Sequence, residues 1–128
     1  MAAKFAHSDV LDGGLTAIKT AATHMILVSA YAFGDSYATV QANKIADATM
    51  ASGDFTITSS GNNRVLTTAS GKTATATASA LGTPDLQIVF TDGSAKVLWV
   101  TDETSNQPIT SGNTVYFPVL TYTNNQPT

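Results

Sequence analysis

The spacing of hydrophobic residues changes along the chain, from a helical period near the start to strand-like alternation over most of the rest. Leu11, Leu15 and Ile18 recur at helical spacing and predict one amphipathic helix over residues 8–23. Two adjacent glycines within that range weaken helix propensity, so a late helix start near Gly14 is one alternative. This segment is the one helix that the pattern strongly favours.

Strand-like patterns fill the remainder. Residues 24–30 form a short, nearly continuous apolar run, which predicts a strand buried on both faces. Residues 36–43 fit either a short helical turn or an irregular loop. Further strands are predicted over residues 44–50, 54–58, 64–68, 73–80, 86–91, 96–101, 113–117 and 119–123. The expected fold is therefore mainly β: a single β-sandwich or small barrel of about eight short strands with one N-terminal helix.

The length of 128 residues suits one domain. We expect a single β-rich domain over residues 1–128, with an N-terminal arm at residues 1–8. Residues 124–128 are polar and are expected to fray.

Charge is sparse. Charged residues make up 12% of the chain, about half of what soluble domains usually carry, and the net charge is -3. The basic residues are scattered, whereas a nucleic-acid or anionic-membrane partner requires several cations on one face. We therefore expect no nucleic-acid partner and no membrane partner. Because cysteine is absent, no thiolate nucleophile or zinc–thiolate site can form.

Candidate catalytic and metal-binding side chains are few. His7 and His24 are the only histidines, and they form neither an HxH nor an HxxxH pair. Glu103 is the only glutamate, and with Asp102 it falls in a predicted polar loop. No GxSxG motif or glycine-rich phosphate loop occurs. We predict no enzymatic activity, no catalytic or metal site and no cofactor.

Two groups of aromatic side chains bear on possible contacts. Trp99, Tyr116 and Phe117 lie on predicted strands, where core packing is the default role. Four others lie outside the clear strands and are candidate anchors for a partner protein, because aromatic residues dominate the energetics of many interfaces. These predicted interface residues are Phe5, Tyr31, Phe33 and Tyr37.

Several short motifs occur in the same order as in a known group of proteins. They are residues 11–15 with Ile18, residues 25–30, 52–56, 64–65, 97–101 and 110–115, and Phe117-Pro118. In this arrangement the chain resembles small β-rich structural proteins of tailed-bacteriophage virions, of the capsid decoration or cement type. The resemblance spans most of the chain.

The resemblance implies a particle component made in many copies, which acts through protein–protein contacts. The implied partners are the major capsid protein or another virion protein, together with copies of the chain itself, a trimer being one arrangement. The expected location is the virion, after synthesis in the host cytoplasm. The alternative is a tail- or fibre-associated module that binds a carbohydrate or another receptor.

Overall fold

The computed structural model describes residues 3–128. Its helices are α1 (Ser8–Ala21) and α2 (Tyr37–Ala42), with one 3₁₀ turn at Ser52–Asp54. Its strands are β1 (His24–Val28), β2 (Lys44–Thr49), β3 (Phe55–Ser60), β4 (Asn63–Thr68), β5 (Thr73–Thr75), β6 (Gln87–Thr91), β7 (Val97–Asp102), β8 (Thr114–Tyr116) and β9 (Thr121–Asn124). The predicted mainly β fold with one N-terminal helix is confirmed.

Three antiparallel sheets organise these strands. Sheet A has the order β2-β1-β6-β7, sheet B the order β3-β4-β9, and sheet C pairs β5 with β8. The sheets stay open over residues 3–128, so the arrangement is sandwich-like and no closed barrel forms there. Strand β1 lies inside sheet A, and its residues Met25 to Val28 are all buried. The prediction of a strand buried on both faces is confirmed.

Each face of sheet A is covered by apolar side chains. On one face the main core joins sheet A to sheet B and to helix α1. Its members include Leu15, Ile18, Met25, Leu27, Phe55, Leu66, Ile88 and Phe90. On the opposite face a smaller cluster of Ile26, Val28, Val40 and Val89 packs under α2, with Tyr31 at its margin. Alternating side chains of one strand thus enter two different cores.

Helix α1 is held to the strands by polar contacts as well as by packing. Both glycines lie inside the helix, so the late-start alternative is wrong. His7 occupies the N-cap and accepts a hydrogen bond from the Asp9 amide through Nδ1. On β4, the Arg64 Nε donates to Asp12 Oδ1 of the helix at 2.7 Å. This ion pair raises the pKa of Arg64 and ties the middle of α1 to sheet B.

One predicted strand is shorter than expected. The Thr-Ala alternation over residues 73–80 predicts a continuous strand, but regular pairing with β8 ends at Thr75. The chain then bends, and the Thr77 amide donates to the Ile45 carbonyl on β2 at 2.7 Å. Side chains continue to alternate between covered and exposed positions after Thr75, which explains why the Thr-Ala pattern continues to residue 80. The backbone partner, however, changes from β8 to β2.

Gln126 attaches the C-terminal tail to two other parts of the domain. Gln126 donates from Nε2 to the carbonyls of Ala6 and Asn62, at 3.0 and 2.9 Å, and accepts from the Ala6 amide at 2.8 Å. Its own amide donates to Asn63 Oδ1. The segment expected to fray is therefore hydrogen-bonded to both the N-terminal arm and the β3–β4 turn.

Candidate interaction surface

Phe33 lies at the tip of a turn that its neighbours hold in place. The Asp35 amide donates to the Ala32 carbonyl at 2.9 Å, and the Ala32 amide donates back to Asp35 Oδ2 at 2.8 Å. Between them Gly34 has a φ of 89°, a value that a type II turn requires at its third position. The ring of Phe33 is fully exposed on this fixed turn. A large apolar side chain is thus displayed to solvent from a backbone that needs little further ordering before it binds.

Tyr31 and Tyr37 flank the same turn but are partly buried. Tyr31 packs against the smaller core, and its hydroxyl donates to the Asp35 carbonyl at 3.4 Å. Tyr37 is the first residue of α2, where the side chain of Ser36 caps the helix by accepting from the Thr39 amide. Of the predicted interface residues, the structure therefore brings Tyr31 and Phe33 together and places Tyr37 at the neighbouring helix start.

A groove runs beside the Phe33 turn along the outer edge of β7. We call it the β7 groove; its lining residues are Tyr31, Phe33, Gly34, Val97, Leu98, Trp99, Val100 and Tyr122. Its volume is about 470 Å³. No charged side chain is among these residues, so the groove suits an apolar occupant.

The floor of the β7 groove is rigid because it is part of the core. Trp99 stacks on Phe90 with ring centroids 4.6 Å apart, and Phe90 meets Phe55 edge-on at 5.9 Å. Only 8% of Trp99 is exposed, in agreement with the core role expected for it. Such offset and edge-to-face contacts between rings stabilise a core beyond the area that they bury.

Phe5 lies at a different place, beside the hydrogen bonds that join Ala6 to Gln126. It is exposed and lines a depression of about 520 Å³ together with Lys4, His7, Arg64 and Gln126. The Arg64 guanidinium is already engaged by Asp12 and by the Ser59 hydroxyl. The four predicted interface residues thus fall into two separate groups, one at the β7 groove and α2 and one at the chain ends.

Ionisable side chains serve mainly local structure. His24 Nδ1 lies 2.7 Å from Asp47 Oδ1, and Lys44 Nζ lies 3.7 Å from the other oxygen of that carboxylate. In the β6–β7 turn, the Asp92 carboxylate accepts hydrogen bonds from the backbone amides of residues 96, 95 and 94, which hold its pKa well below the usual range. Across residues 3–128 no group of three or more His, Cys, Asp or Glu side chains converges as a metal site would require.

Glu103 is largely buried, and both oxygens of its carboxylate accept hydrogen bonds. It accepts from the Ser105 amide and hydroxyl and from the Asn106 amide, at 2.9, 2.7 and 3.2 Å. These bonds shape the loop after β7. The adjacent depression, about 380 Å³ in volume, is lined mainly by apolar side chains, including Tyr116 and Phe117.

Two exposed aromatic residues were not among the predicted interface residues. Tyr116 is 78% exposed although it lies on a strand, so the default core role does not hold for it. The buried positions are taken by Val115 on β8 and by Phe117, which follows the strand. The period-2 pattern was the signal that could have identified it. Tyr122 borders the β7 groove, but its position depends on the placement of β9 beside Trp99, which local sequence does not reveal.

Comparison with known proteins assigns the chain to no family. No protein-family model matches the sequence, and neither curated proteins nor solved structures give a match. Within the described residues 3–128, neither helix has the length and apolar character that crossing a lipid bilayer requires.

Proposed function

We propose that this chain is a structural component of a tailed-phage particle, most simply a capsid decoration or cement protein, and that it acts by protein–protein contact. Two lines of reasoning support the proposal. The order of short motifs resembles that of small virion proteins, and the molecule displays aromatic side chains on ordered backbone. The assignment to a phage rests on the first line, and the contact role rests on the second.

The observation that carries the contact role is the exposed ring of Phe33 on its hydrogen-bonded turn. An exposed phenyl ring is unfavourable in water, and the folded monomer does not bury this one. Burial of the ring would gain hydrophobic free energy. The turn is ordered in advance, so a partner that covers the ring need not supply the free energy of fixing the backbone. An apolar groove directly beside it extends the surface that such a partner would bury.

The alternative, a tail or fibre module for a carbohydrate, receives less support. Sugar-binding sites on β-sheets usually line a groove with several exposed aromatic faces. In the β7 groove the only tryptophan is buried under Phe90, and Phe33 is the one fully exposed ring among the lining residues. A glycan array probed with the folded chain tests the carbohydrate-binding hypothesis. Saturable binding to one glycan class, abolished by Phe33→Ala, would favour the carbohydrate role over the cement role.

Quantitative mass spectrometry of purified phage particles that encode this chain tests the proposal. We expect the chain in many copies, at a fixed ratio to the major capsid protein that persists through density-gradient purification. A minor tail protein of the same particle is the internal control for low copy number. Recovery of the chain only in the soluble lysate, with none in the particles, would overturn the proposal.

A further inference from the structure

Glu103 is the one charged side chain that is buried among residues 3–128, with 9% of it exposed. Asp12, Asp47 and Asp54 are only partly buried, and each has a basic side chain at 2.7, 2.7 and 2.9 Å respectively. Glu103 enters no ion pair with any described residue. Since buried charges are usually paired, the most deeply buried charge of this molecule stands out by lacking a counter-charge.

Hydrogen bonds orient the Glu103 carboxylate but leave its charge in place. Oε2 accepts from the Ser105 hydroxyl and the Asn106 amide, whereas Oε1 accepts only from the Ser105 amide. A carboxylate oxygen has two lone pairs, so Oε1 keeps one acceptor position. A cation at that position gains a charge-assisted hydrogen bond and displaces none of the existing ones.

Glu103 lies in the wall of a depression of about 380 Å³, and it is the only charged residue there. We call this the Glu103 depression; the other lining residues that matter for binding are Ser105, Pro108, Ile109, Tyr116 and Pro118. The two prolines and Ile109 offer apolar contact to a methylene chain. The ring of Tyr116, which is 78% exposed, offers its face to a cation.

Two further carboxylates add negative charge near the Glu103 depression. Asp102 precedes Glu103 at the end of β7, and Asp85 precedes Leu86, whose carbonyl accepts from the Glu103 amide at 3.0 Å. Both aspartates are exposed, and neither pairs with a basic group of residues 3–128. Charges of one sign around a cleft with apolar walls raise the local concentration of the opposite ion. The depression therefore suits a cation that carries an apolar stem.

We infer that the Glu103 depression binds a lysine side chain of the partner protein. The ammonium donates to Glu103 Oε1 beside the Tyr116 ring, and the methylene stem lies along the prolines and Ile109. Lysine fits better than arginine, because a guanidinium fork needs two open acceptor positions and the carboxylate keeps one. This inference rests on the proposed contact role and names one group that the partner contributes.

The lysine comes from another protein and not from a second copy of the chain. Of the six basic residues, four are already engaged by carboxylates or backbone carbonyls: Lys19, Lys44, Arg64 and Lys72. The Glu103 depression shares no lining residue with the β7 groove. It is thus a second contact, separate from that of the Phe33 turn.

A nuclear magnetic resonance titration of the isotope-labelled full chain tests the site. The probe is a short blocked peptide with one central lysine. Its matched control carries norleucine, which keeps the stem and lacks the ammonium. We expect saturable amide shifts confined to residues 103–109 and 114–118, at least about tenfold weaker binding of the norleucine peptide, and weaker binding of the lysine peptide in high salt. Equal binding of both peptides, or no saturable shift, would overturn the inference.

Two variants locate the binding. Glu103→Gln should weaken binding of the lysine peptide at least about tenfold, and Tyr116→Ala about threefold. Because Tyr116 is exposed, its variant keeps the test decisive even if Glu103→Gln disturbs the loop. Asp9→Asn and Val10→Ala remove a charge and an apolar side chain at the exposed start of α1, and both should bind as the wild type does. Wild-type affinity in Tyr116→Ala, or in a folded Glu103→Gln, would refute the assigned contacts.

Self-association of the wild-type chain that Glu103→Gln abolishes would make a second copy the occupant and overturn the assignment to another protein. All of these measurements use the isolated chain. None bears on copy number in purified particles, so failure of this inference and failure of the proposed function are separable.

Discussion

The ring of Trp99 on β7 meets the ring of Tyr122 on β9 edge-on, with centroids 5.4 Å apart and planes at 74°. The contact joins sheet A to sheet B at the side where the β7 groove opens. Trp99 is buried and belongs to the main core, whereas Tyr122 is 38% exposed. The same pair of rings thus links the core to the surface that we propose as a contact site.

The two rings of this pair should contribute unequally to stability. Trp99→Ala removes a buried ring from the stack on Phe90 and is expected to lower the free energy of unfolding by about 3–5 kcal/mol. Tyr122→Ala removes a partly exposed ring and should cost no more than about 1.5 kcal/mol. Urea unfolding of both variants measures the difference. Equal losses would mean that Trp99 is not the core residue described here.

Gly93 in the β6–β7 turn should tolerate no side chain. Its φ is 80°, and a Cβ atom there would lie 2.8 Å from Thr23 Oγ1 and 2.9 Å from His24 Cδ2. Gly93→Ala should therefore lower the free energy of unfolding by more than about 2 kcal/mol, from backbone strain and the clash together. Gly61, with a φ of 60° and no atom within 4 Å of such a Cβ, is the matched control. Gly61→Ala should show only the backbone cost of about 1 kcal/mol. The same loss in both variants would contradict the packing around Gly93.

Asp54 should give the stability a specific dependence on acid pH. Its carboxylate accepts from the Ala51 amide at 2.8 Å and lies 2.9 Å from Lys72 Nζ, and these interactions lower its pKa in the folded state. The unfolded chain therefore binds the proton more tightly. The stabilisation is fully present above the unfolded pKa of about 4 and is lost as the pH falls toward the lower folded value.

Asp54→Asn measures that contribution. At neutral pH it should lower the free energy of unfolding by less than about 1 kcal/mol, because solvent screens the pair. The difference from wild type should shrink as the pH falls below about 4. Asp85→Asn, in an exposed loop, is the control and should show little change at either pH. A difference that grew on acidification would have the wrong sign for this pair.

Gln126 should hold the segment around Ala6 against the β3–β4 turn. Gln126→Ala removes its side-chain bonds to Ala6 and Asn62, so the Ala6 amide should exchange with deuterium at least about tenfold faster. The melting temperature should change little, because few apolar contacts are lost. Gln107→Ala, at an exposed loop position, should leave exchange at Ala6 unaltered. Unaltered exchange in Gln126→Ala as well would show that the arm is held by other contacts.

Phe33 should matter for assembly and not for folding. Phe33→Ala should leave the free energy of unfolding within about 0.5 kcal/mol of the wild type, because the ring is fully exposed. In particles assembled with limiting amounts of the chain, its occupancy should fall at least about tenfold if the ring is an interface anchor. Leu81→Ala, which removes another exposed apolar side chain, is the control. Wild-type occupancy for Phe33→Ala would remove the ring from the contact surface.

Most strands could be predicted because the alternation of apolar and polar residues is local. The strand from His24, the hairpin at Gly93 and the helix through Leu15 all follow from spacing and turn residues. The pairing order of sheet A could not be predicted, since it depends on contacts between segments that are distant in sequence. The end of β5 at Thr75 was missed for the same reason.

The candidate surface was only partly visible in the sequence. Phe33 was selected because it lies outside the predicted strands, and the structure places it on a turn with Gly34. Its proximity to Val100 and Tyr122 arises from the packing of three segments that are far apart in the chain. The attachment of Gln126 to Ala6 likewise spans nearly the whole chain, so the polar composition of the tail gave no sign of it.

A cryo-electron microscopy reconstruction of the assembled particle would show whether this chain is bound there through the Phe33 turn. We expect density for this chain at symmetry-related positions, with the Phe33 turn and the outer edge of β7 buried against a neighbouring protein chain. Particles without such density, or with the chain present and the Phe33 ring in solvent in every copy, would contradict it.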